Sequence, residues 1–370
     1  MDNHVTLKTV RSRLDEMGMD YVLLPLDGGH TALFSRYGGR LMGPFRGEDG
    51  ESLLWLSKAF KDKDAFRAFV EGRQWNIGGE RLWVNPELKF FCQSPETFDQ
   101  TYTVQPELDP GNYTLTAGEG AVNLSMDVTL QVLATGQKKA FRLERRYAPA
   151  LNPLRYMSGL RELPIAYCGL TQEIVLKDTS PQAPLGLEPW ILTQINPGGK
   201  VVTPYFGPFE FVDYYEPVGE LQKVTSRYAE LSITGCNKYK VAYRSAQTLG
   251  RMAYVRPMGN EWALMVRNYY NDPSIPYISE PWGDLGNRGC STYYYNDHGM
   301  TDGFAEFENS GAVVGPEAGR SQSSSTTALW FFQGGRHEIG QVMNALLGID
   351  YAFPAGNSQC APAQGKDGTH

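Results

Sequence analysis

Short segments of alternating apolar and polar residues, separated by turn residues, recur along most of the chain and constrain its fold more than any other feature. They cover residues 113–116, 122–133, 141–147, 170–176, 224–233, 238–242, 252–255 and 263–269. Side chains of a β-strand point to alternate faces, so this pattern is typical of strands with one buried face. The 40 glycines and 23 prolines suit the turns between such strands. Many short strands at regular spacing predict an antiparallel sandwich or barrel.

Three segments carry apolar residues at helical spacing instead. Residues 6–17, 57–71 and 336–347 each place apolar side chains three or four positions apart. Ser57 can cap the second segment, and Gly72 can end it. We therefore expect one all-β sandwich domain over residues 1–353, with an N-terminal helical adornment and a few peripheral helices. The small and polar residues of 354–370 are typical of a disordered tail.

Charge and hydropathy exclude some partners. The net charge is −7 and the sequence pI is about 5.4, which argues against nucleic acid as a partner, because phosphate binding needs a basic surface. The chain contains no apolar run of transmembrane length, so we expect no membrane span. Its first residues lack the apolar region of a signal peptide. The chain as it stands is expected to be cytoplasmic, or periplasmic or secreted if a signal peptide preceded Met1.

The cysteines and histidines give no framework for a metal. The five cysteines are scattered without a CxxC pair, so we expect free thiols rather than a disulfide framework or a zinc knuckle. The five histidines lack metal-ligand spacing. We find no P-loop, GxSxG elbow or HExxH motif, and we expect neither a metal nor a cofactor.

The segment 78–87, GGERLWVNPE, combines a planar donor with a flat apolar ring. Arg81 and Trp83 lie on one face of an extended strand, and Glu87 follows a proline. A guanidinium can bind hydroxyls or a carboxylate, and a sugar ring can stack on an indole. The alternative is that Trp83 is core and Arg81 pairs with a structural acid. Arg40, in GGRLMG, points either into a cleft or out to solvent.

Two acidic side chains share a strand face in residues 305–319, AEFENSGAVVGPEAG. Glu306 and Glu308 are two positions apart and close to Glu317. Neighbouring like charges raise one pKa and can produce an acid and a base. The alternative is an exposed strand edge that carries solvated glutamates.

Further candidates lie in a tryptophan-bearing strand and in a long loop. Trp190 is as suited to packing as to stacking. We interpret residues 281–299 as a loop on a rigid sandwich, where binding sites are common. Tyr295, Asp297 and His298 offer a ring face and hydrogen-bonding tips there. The alternative is a surface loop whose Asn and Asp side chains only cap turns.

In this order, the segments resemble an uncharacterised bacterial family of the galactose mutarotase-like, or aldose 1-epimerase-like, superfamily. The resemblance covers residues 38–351. It is carried by GGRLMG at 38, GGERLWVNPE at 78, LGLEPWILTQINPGG at 185, KYKVAYRSAQTLGRMAYV at 238, WGDLGNRGCSTYYYND at 282 and GFAEFENSGAVVGPEAG at 303. It implies a supersandwich of two large antiparallel sheets, with a concave face that binds a sugar or a sugar-like acid.

The resemblance also implies catalytic roles. Known mutarotases use a histidine as acid and a glutamate as base, and the glutamate carries over to Glu306, or to Glu308 if the register differs by two. The histidine does not carry over, because Glu188-Pro189-Trp190 and Ser323-Ser324-Ser325 stand where relatives carry histidines. His298 can replace it from another loop. The side chains themselves, apart from the resemblance, make the candidate binding residues Arg40, Arg81, Glu87, Trp190, Tyr295, Asp297 and Glu308.

The simplest function is an aldose 1-epimerase-like enzyme acting on a sugar or sugar acid, with a small molecule or an oligosaccharide as ligand. Two alternatives stay open. One is a non-catalytic carbohydrate-binding module or sensor, and the other is a lyase or hydrolase acting on an acidic sugar. If the site is real, at least four of seven side chains should line one concave pocket; these are Arg40, Arg81, Glu87, Trp190, Asp297, His298 and Glu306. The oligomeric state is left open.

Overall fold

The computed structural model describes residues 4–297 and 303–353. The α-helices in this part of the chain are α1 (Leu7–Glu16), α2 (Lys63–Glu71), α3 (Glu87–Phe90), α4 (Phe98–Thr101) and α5 (Arg336–Leu347). The strands are β1 (Tyr21–Pro25), β2 (His30–Ser35), β3 (Arg40–Arg46), β4 (Glu80–Asn85), β5 (Thr114–Gly118), β6 (Ala121–Gln131), β7 (Lys138–Pro149), β8 (Ala166–Asp178), β9 (Glu188–Ile195), β10 (Gly199–Pro204), β11 (Phe211–Asp213), β12 (Gln222–Val224), β13 (Tyr228–Ile233), β14 (Tyr239–Arg244), β15 (Arg251–Met258), β16 (Glu261–Asn268), β17 (Cys290–Asn296), β18 (Ala305–Ser310) and β19 (Gln322–Gly334).

In the described part of the chain, the strands form two large antiparallel sheets. The nine-stranded sheet has the order β1-β2-β3-β4-β9-β18-β17-β14-β11. The ten-stranded sheet has the order β12-β13-β10-β15-β16-β19-β8-β7-β6-β5. This architecture confirms the all-β antiparallel sandwich with a few helices that the strand pattern and the resemblance predicted.

The core lies between the two sheets and is filled by alternate side chains of their strands. Leu82 of β4 and Phe307 of β18 belong to the same buried cluster as Leu143 of β7. The ring of Phe34 lies 4.8 Å from that of Tyr147, which joins β2 to β7. Because successive side chains of a strand point to opposite faces, the neighbours of these core residues in β4 and β18 point away from the second sheet.

A buried ion pair crosses this core. Glu80 of β4 contacts Arg267 of β16, and both side chains are fully buried. Glu80 also accepts hydrogen bonds from Tyr147 at 2.9 Å, from Gln172 at 3.1 Å and from Thr193 at 2.9 Å. The network fixes the inner face of β4 against the second sheet, and so fixes where the outward side chains of β4 stand.

The helices lie outside the two sheets. Ile339, Val342 and Met343 of α5 pack in an apolar cluster with strands of the ten-stranded sheet. The helix predicted over 336–347 is found with those bounds. The predicted segment 57–71 is divided, because a short 3-10 helix at Lys58–Lys61 precedes α2 and Asp62 caps α2 by accepting a hydrogen bond from the Ala65 amide at 2.7 Å.

Two predicted elements are wrong in extent. The interpretation of residues 281–299 as one loop fails, because β17 occupies Cys290–Asn296. Its Thr292 and Tyr294 pair in register with Asn309 and Phe307 of β18, a long-range pairing that turn-rich composition conceals. The predicted strand 224–233 is two strands, β12 and β13, separated by a turn.

The structure also describes four of the cysteines and the lengths of the helices. Cys92, Cys168 and Cys290 are buried free thiols, as expected. Cys236 is disulfide-bonded, which corrects the expectation of a free thiol there. The predicted disordered tail, 354–370, lies outside the described residues. Among the helices of the described residues, none has both the length and the apolar character needed to cross a membrane.

Candidate functional site

The outer face of the nine-stranded sheet carries a cavity of about 320 Å³. Strands β4, β9, β14, β17 and β18 form its floor, and the segments around α3, α4 and residue 215 cover it. The lining residues are Trp75, Arg81, Trp83, Glu87, Phe98, Asp99, Tyr102, Trp190, Tyr215, Lys238, Lys240, Tyr295, Asp297, Phe304, Glu306 and Glu308.

A wider groove of about 700 Å³ runs along the surface between Arg244, Tyr277 and Arg288. Among the described residues that line it, no buried side-chain polar atom lacks a hydrogen-bond partner, whereas the smaller cavity has several such atoms. Buried polar groups are normally paired, so unpaired ones that line a cavity point to a ligand. The smaller cavity is therefore the candidate site.

The pairing register of the sheet determines which side chains meet on the cavity floor. Trp83 lies opposite Trp190, and Glu306 lies opposite Tyr295, which in turn lies opposite Lys240. All of them point to the outer face of the sheet because they alternate with core residues. Residues that are far apart in the sequence thus form one surface.

Arg81 is held by two tryptophan rings and one carboxylate. Its guanidinium carbon lies 4.1 Å from the ring centre of Trp83 and 5.1 Å from that of Trp75. Its Nη2 lies 2.7 Å from Oε1 of Glu306, whereas Nε and Nη1 are buried without a hydrogen-bond partner. The Glu306 charge is thus compensated, and two donors of Arg81 remain for a ligand.

Arg40 does not line the cavity, and this corrects the prediction that it contacts a ligand directly. Its Nη2 donates to Oδ2 of Asp109 at 2.5 Å and to the carbonyl of Trp75 at 2.6 Å. The same Asp109 oxygen accepts from Nε1 of Trp83 at 2.9 Å. The Arg40 guanidinium therefore pairs with Asp109 behind Trp75 and Trp83. Arg40 stabilises the cavity wall from behind and does not line the cavity.

A second charged group lies on the far side of the floor. Lys240 Nζ is 2.8 Å from Oε2 of Glu87 and 4.0 Å from Oε2 of Glu308, and it stands 4.4 Å from the centre of the Trp190 ring. Burial opposes the charge of Lys240, but Glu87 and Glu308 outweigh it and raise the Lys240 pKa. We infer a buried ammonium group whose main partner is Glu87.

Glu308 differs from the other acidic side chains of the site. Its Oε2 accepts a hydrogen bond from Nε1 of Trp190 at 2.7 Å, whereas its Oε1 is buried without a partner. Burial raises the pKa of Glu308 to about 8; Lys240 opposes this shift, and Glu306 and Glu87 add to it. At neutral pH, Glu308 is therefore mainly a neutral carboxylic acid.

Aromatic rings form most of the remaining wall. Tyr215 meets Tyr295 edge to face with ring centres 6.0 Å apart, and Phe98 packs at 5.3 Å from Tyr102. At the more exposed margin, Lys238 pairs with Asp99 at 2.9 Å. Ring faces next to hydrogen-bonding groups suit a ligand that has both apolar faces and polar edges.

Five of the seven side chains expected to converge line this one cavity: Arg81, Glu87, Trp190, Asp297 and Glu306. Glu308 and Tyr295 line it as well. Arg40 lies behind the wall, and His298 lies outside the described residues. Their roles in binding and catalysis stay predictions.

Sequence reasoning missed Lys240 and the covering aromatics. Lys240 had a local signal, because a lone charge stands between the apolar Tyr239 and Val241 of a strand. Trp75, Tyr102 and Tyr215 lie outside strands and outside any motif, so no local pattern predicts them. Among the described residues, no group of three or more His, Cys, Asp and Glu side chains is arranged to hold a metal ion.

Solved structures that are similar to this chain include proteins of the aldose 1-epimerase type. A protein assigned as an aldose 1-epimerase from Klebsiella pneumoniae has a TM-score of 0.46 at 10% identity, covering 90% of this chain and 84% of its own. Galactose 1-epimerase from Lactobacillus acidophilus has a TM-score of 0.41 at 10% identity, covering 86% and 99%. An aldose epimerase homologue from C. elegans has a TM-score of 0.38 at 10% identity, covering 86% and 100%.

No protein-family model matches the chain. No curated protein matches it either. At identities and TM-scores this low, the likeness carries no argument about this chain, and its function has to be argued from the cavity itself.

Proposed function

We propose that the cavity binds a single sugar ring and that the protein acts on it as an aldose 1-epimerase-like enzyme. The observation that carries this proposal is the combination of ring faces with unpaired buried polar atoms on one cavity floor. Arg81 supplies two donors without partners, and Glu308 keeps its Oε1 without a hydrogen bond. A sugar presents apolar C–H faces to such rings and hydroxyl groups to such donors and acceptors.

The volume of the cavity and the charges of its lining restrict the class of sugar that it can bind. A cavity of about 320 Å³ is at the lower end of the ~300–1,000 Å³ range of small-molecule sites, which suits one monosaccharide unit. The carboxyl groups of the lining outnumber its cationic groups: Glu87, Asp99, Asp297, Glu306 and Glu308 stand against Arg81, Lys238 and Lys240. Such a lining favours an uncharged sugar over a sugar acid and weighs against a lyase or hydrolase acting on an acidic sugar.

The reaction requires one base and one acid. Glu306 takes the proton of the anomeric hydroxyl as the bond between the anomeric carbon and the ring oxygen breaks, and an acid protonates the ring oxygen. Among the described lining residues none is a histidine, so the acid has to be sought among other groups. Arg81, at 2.7 Å from Glu306, holds the base and offers its remaining donors to hydroxyl groups.

Polarimetry and NMR exchange spectroscopy on a panel of aldoses and uronates test this function. We expect faster anomeric equilibration with the protein than in buffer for at least one neutral aldose. Glu306→Gln should lower kcat by about 10²–10⁴-fold, the usual contribution of one acid–base group. The matched control is Glu173→Gln, at a largely exposed position paired with Arg146, which should leave the rate unchanged. If no sugar equilibrates faster with the protein than in buffer, the enzymatic function is ruled out.

A second candidate is a non-catalytic carbohydrate-binding module. The ion pair of Glu306 with Arg81 favours it, because an oxygen of this carboxylate already contacts a guanidinium in the absence of ligand. The two functions differ in calorimetry and kinetics: a module binds sugar without turnover and keeps its affinity in Glu306→Gln.

A further inference from the structure

The two oxygens of Glu308 stand in different surroundings. Oε2 accepts the Trp190 hydrogen bond, and Oε1 is buried at the cavity floor without a partner. A carboxylate oxygen buried without a donor is costly, whereas a protonated carboxyl carries an O–H on that oxygen. In the protonated form, Oε1 is a donor that a ligand in the cavity can accept from.

The charged and titratable groups around Glu308 favour the protonated form. Glu306 faces it from the same strand, Glu87 from α3, Lys240 from β14, and Tyr215 from the covering segment. Lys240 is the only cation among those that act most strongly on Glu308 in the described structure, and it lies closer to Glu87, at 2.8 Å, than to Glu308, at 4.0 Å. The raised pKa of Glu308 agrees with this arrangement.

Glu306 stands in the opposite environment. It contacts the Arg81 guanidinium at 2.7 Å, and it shares the outer face of β18 with Glu308 two positions away. Both carboxyl groups therefore reach the same bound ring from neighbouring points on the floor. One carboxyl group held by a guanidinium and a second one buried without such a partner on one oxygen can serve as base and acid on the same bound ring.

We propose that Glu308 is the general acid of the reaction, with Glu306 as its base and with Lys240 and Glu87 as positioning residues. This assignment rests on the proposed function. As Glu306 takes the proton from the anomeric hydroxyl, a C=O bond forms at the anomeric carbon. The bond to the ring oxygen breaks, its electron pair goes to the ring oxygen, and that oxygen takes the Glu308 proton.

Ring closure restores both groups. The open-chain aldehyde rotates about its C1–C2 bond, and the ring hydroxyl attacks the other face of the carbonyl. Glu308 then takes back the hydroxyl proton, and Glu306 returns its proton to the new anomeric oxygen. No oxidant, reductant or third reactant enters the cycle.

The first test compares Glu308→Gln with Glu188→Gln. Glu188 is a matched control because it is also a fully buried glutamate. It lies on the same face of β9 as Trp190 but does not line the cavity. We expect Glu308→Gln to lower kcat by about 10²–10⁴-fold while sugar binding in calorimetry is kept, and Glu188→Gln to keep the rate. If Glu308→Gln keeps the wild-type rate, only the acid assignment is overturned. If the wild-type protein accelerates no sugar, the proposed function fails and the assignment fails with it.

The second test detects the protonated carboxyl group of Glu308 directly and needs no catalytic turnover. Glu188 also titrates in this range, so the comparison is made in Glu188→Gln, where its carboxyl group is absent. Infrared difference spectra of Glu188→Gln between about pH 6 and about pH 10 should show the loss of a carboxylic-acid C=O band that is absent in the double variant Glu188→Gln/Glu308→Gln. If the double variant shows the same band as Glu188→Gln, Glu308 does not hold the proton and the proposal is overturned.

A third test addresses the positioning role. Lys240→Met removes the nearby cation and leaves Glu87 uncompensated, and both effects raise the Glu308 pKa further. The alkaline limb of the pH–rate profile should move up by about 1–3 pH units, as expected for an opposite charge removed from this distance. An unmoved limb in a folded variant contradicts the positioning role.

Discussion

Replacing Arg267 by methionine tests how the two sheets are held together. Arg267 and Glu80 are both fully buried, and Arg267 Nη1 also donates to Oδ1 of Asn309 at 2.8 Å. Methionine keeps an apolar stem but leaves the Glu80 charge in the core without its cation. Removal of one partner of a buried ion pair costs about 3–5 kcal/mol, and we expect the free energy of unfolding to fall by that amount.

The remaining partners of Glu80 decide where in this range the loss falls. Tyr147, Gln172 and Thr193 still donate to its carboxylate, so the charge keeps hydrogen bonds but loses its counter-ion. In the double variant Glu80→Gln/Arg267→Met, the buried charge is absent, and the amide oxygen can still accept from Tyr147 and Gln172, while the amide NH2 can donate to the Thr193 hydroxyl. We therefore expect the double variant to recover at least half of the loss, because the main cost is the uncompensated charge.

Urea unfolding followed by tryptophan fluorescence measures these differences, with equal m-values as the check that the unfolded states are comparable. A matched control is Arg142→Met, which removes a partly exposed arginine from ion pairs on the surface of β7 and should cost under about 1 kcal/mol. The reasoning is refuted if Arg267→Met costs no more than this control. It is also refuted if the double variant loses as much as the two single variants together.

Three further predictions concern the outer face of the same sheet. Arg81→Met removes two unpaired buried donors, so the Kd for the sugar should rise at least about tenfold in calorimetry; an unchanged Kd would mean that the ligand does not use Arg81. Trp190→Phe removes the hydrogen bond that lowers the Glu308 pKa, so the alkaline limb of the pH–rate profile should move upward, and a downward shift would contradict the assignment. Burial raises the pKa of Glu188 from 4.5 to about 7, so unfolding free energy should fall by about 3 kcal/mol as pH rises through this interval. Glu188→Gln should remove this part of the dependence in urea titrations at several pH values, while the part due to Glu308 remains, and an equally steep curve in the variant would rule Glu188 out as a source.

The alternation of residues within single strands was enough to predict part of the candidate site. The alternation of β18 placed Glu306 and Glu308 on one face, and the alternation of β4 did the same for Arg81 and Trp83. A period of two residues depends only on the extended backbone, so it can be read without knowledge of neighbouring strands. The same reasoning supplied the antiparallel sandwich, since regular spacing of short strands is itself a local signal.

Contacts between distant segments could not be predicted in this way. Arg40 pairs with Asp109, which lies 69 positions away, and nothing near Arg40 indicates that partner. Lys240 meets Glu87 across 153 positions. Strand β17 was hidden for a related reason, because its pairing with β14 and β18 outweighs the turn-forming composition around it.

In β4 and β18, residues that pack in the interior alternate with residues that line the cavity. In β4, Glu80 belongs to the interior and Arg81 to the cavity; in β18, Phe307 is core and Glu308 is floor. Substitutions at the outward positions can therefore change ligand preference while the hydrophobic interior stays the same. This makes the cavity floor a favourable starting point for directed evolution. The same arrangement makes the strands intolerant of single-residue insertions, because a slip by one would exchange the two sets of side chains and abolish folding and binding together.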